Sequence, residues 1–384
     1  MRIAMVSMFY KPTIGGVEKV IEKLATRYVQ QGHQVDVFCC DGDKHERIKK
    51  KYEVIDDIRV HRARYWLRLS LNTHIFPGVI WMLLKYKFDI VHSHVGAHDY
   101  ILFTGLIAKL KGKPHIHTTH CPWTDKFRPW PVRFALFFTD NFFNYLSFNL
   151  CNRIIAITPW EVPILKKWVN ESKITVLHNG MDASLFKKVK SNSFRKEIMK
   201  DPNNKLVLFF GRLNPTKAPD HFAKLAKMIL KERNDIEFAI VGPDEGLMDE
   251  VKRIVDNHPM IHVLGTWPHE RINEMYQASN LYVLPSYREG LPLTLFEAMA
   301  SGLPIIATPC NGVPYEVKDG VNGYLVRYGD LEEQKKRILE VLDDSDLSKK
   351  FSKSNIKKVK DYTWDKIAEE TLKIYESEKK KISK

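Results

Sequence analysis

The chain has 384 residues, of which 44% are hydrophobic and 28% charged, and its formal net charge is +14. This composition excludes a disordered or fibrous protein, and the length is sufficient for two domains with separate cores. The positive charge favours an anionic partner, whether a phosphorylated ligand, nucleic acid or an anionic membrane.

Cysteine usage and the amino-terminal segment both bear on location. The five cysteines show no CxxC spacing, which indicates reduced thiols. The chain begins directly on a strand pattern, and apolar runs such as 75–84 and 101–110 are too short to cross a bilayer. We therefore expect a cytoplasmic protein, with contact at the inner face of the cell membrane left open.

Buried-strand patterns alternate with helical patterns along the chain, which predicts parallel sheets and the α/β fold class. Candidate strands in the first half are 2–9, 34–40, 58–64, 89–94, 114–120, 153–158 and 174–178. Those in the second half are 205–210, 236–241, 261–264, 281–284 and 304–307. A polar, lysine-rich stretch between the two sets predicts domains at 1–182 and 205–360, joined by a linker at 183–204 and followed by a helical pattern at 361–384.

The first strand leads into a glycine turn. Gly15 and Gly16 stand just before a helix with apolar residues at helical spacing, where missing side chains let a ligand approach the backbone. The turn is not GxGxxG, which disfavours a nicotinamide dehydrogenase. The alternative interpretation is a flexible connector.

Two patterns raise the question of a metal site. Asp41-Gly-Asp43 is a D-x-D sequence, but Asp-Gly is common in turns. Six of the 15 histidines fall between residues 92 and 120, but no partnering carboxylate or cysteine pattern supports a zinc site. Strands that end in polar residues at the mouth of a site explain the cluster more simply, and His120 ends one such strand. No metal site is predicted.

Residues 123–148 are rich in aromatic side chains, interspersed with Lys126, Arg128 and Arg133. The aromatics are spread around a helix, as in a helix buried in a core. The alternative is a surface that contacts a membrane or a lipid acceptor, with the basic residues on phosphates. Both interpretations stay open.

The second half begins with a strand that runs into Gly211-Arg-Leu-Asn-Pro-Thr-Lys217. Arg212 can hold phosphate oxygens in a bidentate way and Lys217 adds a compact charge, so the pair suits a diphosphate. A pair of unrelated surface cations is the alternative.

Glu289 and Glu297 flank the start of a short helix that follows the strand at 281–284. In parallel α/β sheets, ligands bind beyond the carboxyl ends of the strands, where helix amino termini attract anions. Because a carboxylate repels phosphate, the two glutamates are expected to accept hydrogen bonds from hydroxyls. A ligand with both phosphates and hydroxyls, such as a nucleotide sugar, is indicated. The alternative is a pair of solvated or capping carboxylates.

The segment at 289–304, EGLPLTLFEAMASGLP, closely resembles the Glu-x7-Glu signature of the retaining glycosyltransferases of family 4. Similar elements recur along nearly the full chain, at 15–18 (GGVE), 178–182 (HNGMD), 211–217 (GRLNPTK) and 309–316 (PCNGVPYE). Two residues depart from the family pattern, since Ala218 and Asn311 replace usual glycines. The path of the loop around Ala218 is therefore left uncertain.

The resemblance implies the GT-B fold, in which two doubly wound, Rossmann-like domains face each other across a cleft and the last helix crosses back to the first domain. The first domain is expected to bind the acceptor and the second the nucleotide-sugar donor. The implied catalytic residues are His120 at the donor sugar, Arg212 and Lys217 at the diphosphate in place of a metal ion, and Glu289 at the sugar hydroxyls. The implied donor-binding residues are Gly15, Gly16, Val263, Leu264, Gly265, Gly290, Leu291, Pro292, Leu293 and Glu297, the last at the ribose.

The implied activity is transfer of a hexosyl or N-acetylhexosaminyl group from a UDP- or GDP-sugar, with retention of configuration, in synthesis of a cell-surface glycan or glycolipid. Such an enzyme needs the donor but no cofactor. The acceptor attacks the sugar on the face from which the diphosphate leaves, and a role for Glu289 as the nucleophile stays open. The expected partners are the donor, a glycan or lipid-linked acceptor and an anionic membrane, not nucleic acid. A UDP-sugar 2-epimerase of the same architecture and a non-catalytic nucleotide-sugar-binding protein are the alternatives. The sugar, the base, the acceptor and the oligomeric state are not predicted.

Overall fold

The structure is a computed structural model that describes the chain except residues 14, 44–45, 71–72, 96–97, 121–129, 131–133, 135–136, 138, 188–192 and 383–384. Its contacts divide the chain into two compact units. Unit 1 comprises Met1–Gly180 and Trp364–Lys384, and unit 2 comprises Met181–Thr363. The stretch predicted as a linker, 183–204, groups with unit 2, and it contains a short helix in which Phe194 is buried.

The strands form one large sheet in each unit and one hairpin in unit 1. The strands of unit 1 are β1 (Arg2–Val6), β2 (Gln34–Cys40), β3 (Tyr52–Ile55), β4 (Ile58–Ala63), β5 (Leu67–Ser70), β6 (Thr73–Ile75), β7 (Ile90–His94), β8 (His115–Thr118), β9 (Arg153–Ala156) and β10 (Ile174–Val176). Those of unit 2 are β11 (Lys205–Phe210), β12 (Ile236–Val241), β13 (Ile261–Gly265), β14 (Leu281–Leu284), β15 (Ile305–Ala307) and β16 (Gly323–Leu325).

The α-helices follow the strands in alternation. Those in the described part of the chain are α1 (Gly16–Gln30), α2 (Gly78–Lys85), α3 (Asp99–Leu110), α4 (Asn144–Asn149), α5 (Val162–Leu165), α6 (Ser193–Ile198), α7 (Pro219–Ile229), α8 (Met248–Val255), α9 (Ile272–Ala278), α10 (Leu293–Ala300), α11 (Val313–Glu316), α12 (Leu331–Asp343), α13 (Ser345–Val359) and α14 (Trp364–Ile382). None of them combines the length and the apolar character that crossing a bilayer requires.

The sheet of unit 1 has the strand order β10-β9-β8-β7-β1-β2-β4-β3. Its neighbouring strands are parallel except β3, which pairs antiparallel with β4 at one edge. The sheet of unit 2 has the order β13-β12-β11-β14-β15-β16 and is parallel throughout. Both units are doubly wound parallel sheets, so the predicted α/β fold class is confirmed.

Helix α1 forms because its apolar residues recur at helical spacing, and Val20, Ile21, Leu24 and Tyr28 are buried. The chain leaves the helix at Gly32, whose φ of +80° favours glycine and whose N–H donates to the Val29 carbonyl at 2.9 Å.

Helix α14 packs against α1 within unit 1. It buries Trp364 and Tyr375, and the Tyr375 hydroxyl lies 2.5 Å from His92 Nδ1 of strand β7. Glu378 is buried as well and pairs with Arg153 at 2.7 Å. Residues separated by more than 200 positions in sequence therefore share one core.

Helices α2, α3 and α4 lie on the other face of the same sheet. Right-handed crossovers require this, since the chain moves from β1 to β2 in one direction and from β4 through β7 and β8 to β9 in the opposite direction. Consistent with this placement, α3 packs against both α2 and α4.

Candidate active site

In unit 2 the loops that follow β11, β12 and β14 are joined by main-chain hydrogen bonds. Because parallel strands end at a common edge, these loops meet where such sheets bind ligands. The N–H of Gly211 donates to the Val241 carbonyl at 3.0 Å, and the N–H of Tyr287 donates to the Thr216 carbonyl at 3.1 Å. The segments that carry Arg212, Lys217 and Glu289 are thereby held next to one another.

Glycine is required where the first two loops approach each other. A Cβ atom on Gly242 would lie 1.9 Å from the Gly211 carbonyl oxygen, and Gly242 has a φ of +145°. Its N–H donates to the carbonyl of Gly265 at 2.7 Å. Gly265 ends β13 after the half-buried Val263 and Leu264, so the candidate base-binding residues lie at this same edge; their role stays a prediction.

Lys217 and Glu289 form a buried ion pair. Lys217 Nζ lies 2.6 and 2.5 Å from the two carboxylate oxygens, and the side chains are 17% and 4% exposed. An ion pair shielded from water in this way interacts strongly, and either partner alone would be costly to bury. Two residues predicted to bind different parts of the donor therefore contact each other.

Arg212 is paired with Glu245, a residue that the sequence did not single out. Arg212 Nη1 lies 3.0 and 3.1 Å from the Glu245 carboxylate oxygens, and Asn214 Nδ2 donates to the same carboxylate at 2.8 Å. The only sequence signal was the position of Glu245, in the loop that follows β12. This pair is more open to solvent than the Lys217 pair.

The two departures from the family glycines adopt the left-handed backbone conformation that a glycine would favour. Ala218 has φ +52° and ψ +51° at the start of α7, and Asn311 has φ +44°. Asparagine tolerates this region better than alanine does. Asn311 Nδ2 also donates to the main-chain carbonyl of Glu289 at 2.6 Å, a contact that glycine lacks. The structure thus gives the backbone conformation at the position whose loop path the sequence left uncertain.

Glu297 lies on α10 and is buried. Its carboxylate accepts a hydrogen bond from the Tyr276 hydroxyl at 3.0 Å. Burial, together with the nearby Glu297 charge, raises the pKa of Tyr276 well above its usual value, so that the hydroxyl remains a donor. Helix α10 begins at Leu293 without a side-chain cap, because Pro292 occupies the cap position, and Gly290 and Leu291 lead into it. Tyr276 is a second residue that sequence reasoning missed.

The remaining predicted site residues lie in unit 1. Gly15 is the N-cap of α1, Gly16 is its first residue, and a Cβ atom on Gly16 would meet no atom within 4 Å. His120 follows β8, and strands β1 and β8 flank β7, so the glycine turn and His120 lie at the same sheet edge.

His120 is held by His94 of β7. His120 has a φ of +56°, and its Nε2 lies 3.1 Å from His94 Nδ1. Burial lowers the pKa of His120 to about 3, so the ring is neutral near pH 7. One of the two facing nitrogens must therefore carry the proton and donate it to the other. His94 was part of the sequence cluster but was not selected as a site residue.

Three further histidines of the cluster, His92, His115 and His117, have structural partners. His92, His115 and His117 are fully buried, and the Ser93 hydroxyl lies 2.7 Å from His115 Nε2 and 2.9 Å from His117 Nδ1. Across the described residues, no group of three histidine, cysteine, aspartate or glutamate side chains is arranged to hold a metal ion.

The Asp41-Gly-Asp43 sequence lies in a turn after β2. Asp41 accepts hydrogen bonds from Arg47 Nη1 and from the Tyr65 N–H, both at 2.9 Å. Asp43 accepts from the Glu46 N–H at 2.5 Å.

Much of the aromatic stretch at 123–148 lies outside the described residues, including Lys126, Arg128 and Arg133. Among its described aromatic residues Phe148 is buried and Phe143 is half-buried, whereas five are exposed: Trp130, Phe134, Phe137, Phe142 and Tyr145. The core interpretation therefore applies to Phe148 but not to these five.

Comparison with known proteins agrees with the motifs. The model described as Glycosyltransferase Family 4 matches residues 14–185, and that described as Glycosyl transferases group 1 matches residues 190–358. The chain is 30% identical to the UDP-Gal:alpha-D-GlcNAc-diphosphoundecaprenol alpha-1,3-galactosyltransferase of Escherichia coli over 70% of each chain. It is 25% identical to the D-inositol 3-phosphate glycosyltransferase of Streptomyces scabiei, over 97% of this chain and 90% of that protein.

The fold is also shared with solved structures. HepE from Anabaena in complex with UDP superposes with a TM-score of 0.76 at 18% identity, covering 98% of this chain and all of that one. Two doubly wound units with these loop motifs define a glycosyltransferase of the GT-B fold. The chain belongs to glycosyltransferase family 4, as its motifs predicted.

Proposed function

We propose that the protein transfers a hexosyl or N-acetylhexosaminyl group from a UDP-sugar to a lipid-linked acceptor, with retention of configuration and without a metal ion. The observation that carries the proposal is the group of charged side chains at the carboxyl edge of the unit 2 sheet. Arg212 and Lys217 supply two cations there, and Glu289 and Glu297 supply two carboxylates.

The cations are suited to the leaving diphosphate. Charge develops on the phosphate oxygens as the glycosidic bond breaks, and fixed cations in a partly dry site stabilise it. When the donor binds, Lys217 exchanges Glu289 for phosphate, and Glu289 becomes available to the sugar hydroxyls. Glu297, kept in place by Tyr276, accepts hydrogen bonds from the ribose hydroxyls.

Two similarities favour uridine over guanosine as the donor base. The E. coli relative is named for UDP-Gal, and HepE was solved with UDP. Under this proposal the residues around Val263 and Gly265 read the base through main-chain groups, and GDP-sugars are the competing donors.

A lipid-linked acceptor is favoured by the E. coli relative, whose acceptor is a diphosphoundecaprenol-linked sugar. The S. scabiei relative, by contrast, is named for a small phosphorylated acceptor. A lipid-linked acceptor entails peripheral contact with an anionic membrane, at the inner face of the cell membrane. Under this proposal His120, which is neutral and lies at the same edge of the unit 1 sheet as the glycine turn, contacts the donor sugar, and the acceptor attacks from the face that the diphosphate leaves.

A thermal-shift screen with UDP-, GDP- and ADP-sugars tests the donor, because a ligand that binds only the folded protein raises its melting temperature. UDP-sugars should give the largest increase. Release of UDP should then depend on a lipid-linked acceptor, persist in EDTA, and yield a product with the donor's anomeric configuration.

Three outcomes would contradict the proposal. Conversion of the UDP-sugar without any acceptor would indicate a 2-epimerase, and binding without turnover would indicate a nucleotide-sugar-binding protein. Loss of activity in EDTA would contradict metal independence.

A further inference from the structure

The exposed aromatic residues are distributed unevenly between the two units. Among the described residues, every exposed tryptophan and phenylalanine belongs to unit 1, whereas unit 2 exposes no large hydrophobic residues other than Tyr315, Val321, Tyr328 and Ile356. Single exposed apolar residues are normal in any protein, but several on neighbouring elements need a physical explanation.

Three helices that pack side by side on one face of the unit 1 sheet expose apolar residues on their outer sides. On α2 and α3 these residues recur at helical spacing, so they point away from the buried face of the same helix. The α2–α4 surface consists of Trp81, Leu84, Leu106, Leu110, Tyr145 and Leu146. Trp81 and Leu110 are 75% and 76% exposed, which is unusual for side chains of this size.

Two of these helices, α2 and α3, also expose positive charge. Lys85 and Lys109 directly adjoin Leu84 and Leu110 in sequence and are exposed. Residues 78–113 contain five lysines but no arginine, no glutamate and two aspartates. One of these, Asp89, pairs with Lys379 of α14, whose helix covers the opposite face of the sheet.

We infer that the α2–α4 surface docks on an anionic lipid bilayer. Tryptophan, tyrosine and leucine side chains insert at the boundary between headgroups and acyl chains, and lysines at the margin bind lipid phosphates. Charge decides against a second copy of the chain as the occupant, because two such surfaces would bring like charges together, whereas anionic headgroups neutralise them.

The docking surface reaches the edge at which the acceptor is expected. Helix α2 begins at Gly78, after the connection from the carboxyl end of β4, and Trp81 lies in its first turn. Gly15, Gly16 and His120 lie at the same carboxyl edge of the sheet. This inference rests on the proposed function only for the lipid-linked acceptor; the docking itself does not depend on catalysis.

Vesicle sedimentation of the full chain tests the inference. We expect the protein to bind phosphatidylcholine vesicles that contain about one third phosphatidylglycerol, and to bind pure phosphatidylcholine far less. Trp81→Ser with Leu110→Ser should weaken binding to the anionic vesicles by at least about tenfold, since both anchors are lost. Lys85→Gln with Lys109→Gln should weaken it by on the order of tenfold, and only for anionic vesicles.

A matched control is available on the edge strand β3, where Tyr52 and Val54 are also more than half exposed. Tyr52→Ser with Val54→Ser should leave vesicle binding unchanged. All these positions are exposed, so the variants should fold, and their melting curves and UDP binding should match those of the unchanged protein.

Three results would overturn the inference. The unchanged protein could stay in the supernatant with both vesicle types, or Trp81→Ser with Leu110→Ser could bind as well as before. Size-exclusion chromatography could instead show a dimer that this double substitution separates, which would make the surface a self-interface. Failure of UDP-sugar transfer alone would overturn the proposed function and leave the docking result intact.

Discussion

Lys217 and Glu289 hold each other in a pair with little access to water, so each limits what the other can bind. Lys217→Ala should weaken binding of UDP and transfer by about 2–3 kcal/mol, since a charge-assisted contact with phosphate is lost. Calorimetric titration with UDP measures the effect. Lys224→Ala, which removes an exposed lysine of α7 paired with Asp220, is the control. Normal UDP affinity in the Lys217 variant would exclude its phosphate role.

If Arg212 binds the diphosphate as proposed, Glu245 competes with that ligand, because its carboxylate already pairs with Arg212. Because this pair is partly exposed, its strength is expected to be modest, about 0.2–1 kcal/mol. Glu245→Ala should therefore raise the affinity for UDP by up to about fivefold. Weaker binding in this variant, measured by the same titration, would instead make Glu245 a direct ligand of the donor.

Buried histidines make unit 1 sensitive to acid. Burial lowers the pKa of His98 to about 4 and of His115 to about 3, from about 6.5 in the unfolded chain. Below about pH 6.5 the unfolded state binds more protons than the folded state does. The free energy of unfolding is therefore highest above about pH 6.5 and decreases as the pH falls from there toward 4. Each such histidine should lower the free energy of unfolding by about 1.4 kcal/mol per pH unit within that range.

Denaturant titrations at several pH values measure this slope. His115→Gln should reduce it by about one proton per molecule, whatever its effect on stability at neutral pH. If the His115→Gln variant kept the pH slope of the unchanged protein, the lowered pKa assigned to His115 would be contradicted.

At the scale of single elements, the left-handed residue before α7 has a measurable cost. Alanine in this conformation is disfavoured by about 1–2 kcal/mol, and glycine loses about 0.5–1 kcal/mol in chain entropy. Ala218→Gly should therefore raise the free energy of unfolding by up to about 1 kcal/mol. Ala223→Gly, the same change within the right-handed part of α7, should lower it by about 1 kcal/mol or more, and equal effects in both variants would refute the explanation.

Strands that are mostly apolar could be predicted with their bounds. Strands β2, β11, β12 and β14 begin and end at the predicted residues, because burial on both faces makes each mostly apolar. Asp36 in β2 and Glu237 in β12 are the buried exceptions. Strands β3, β5, β6 and β16 were not predicted. They are three or four residues long, too short for a periodic pattern to be recognised.

Residues of the candidate site could be selected from the sequence where a single motif contains them, but contacts between two loops could not be predicted. Residues such as Lys217 and Glu289 stand in recognisable segments. The pairing of Arg212 with Glu245 and the contact from Asn311 to the Glu289 carbonyl depend on how separate loops approach each other. Local sequence does not encode such contacts directly.

At the scale of the whole molecule, each unit has a core that can be perturbed separately. Tyr375→Phe leaves His92 Nδ1 of unit 1 without the Tyr375 hydroxyl, while His92 Nε2 keeps the Thr118 hydroxyl. Glu237→Gln perturbs a buried carboxylate of unit 2 that accepts from the N–H groups of Lys200 and Asp201. Each change should lower the free energy of unfolding by about 1–3 kcal/mol.

Scanning calorimetry should assign each loss to one unit, as a decrease of several degrees in one transition only. Addition of UDP should raise the transition that Glu237→Gln lowers. A single transition that responds equally to both substitutions would show that the cores do not unfold separately.

The position of α14 in the sequence determines when unit 1 can complete its fold during synthesis. The surface of α1 that packs against α14 is made among the first 30 residues, but its covering helix is translated only after all of unit 2. When the last residue of unit 2 has been translated, unit 1 therefore still exposes part of its core. The unit whose synthesis starts first is finished last, and a nascent chain paused before residue 364 would be the form most in need of a chaperone.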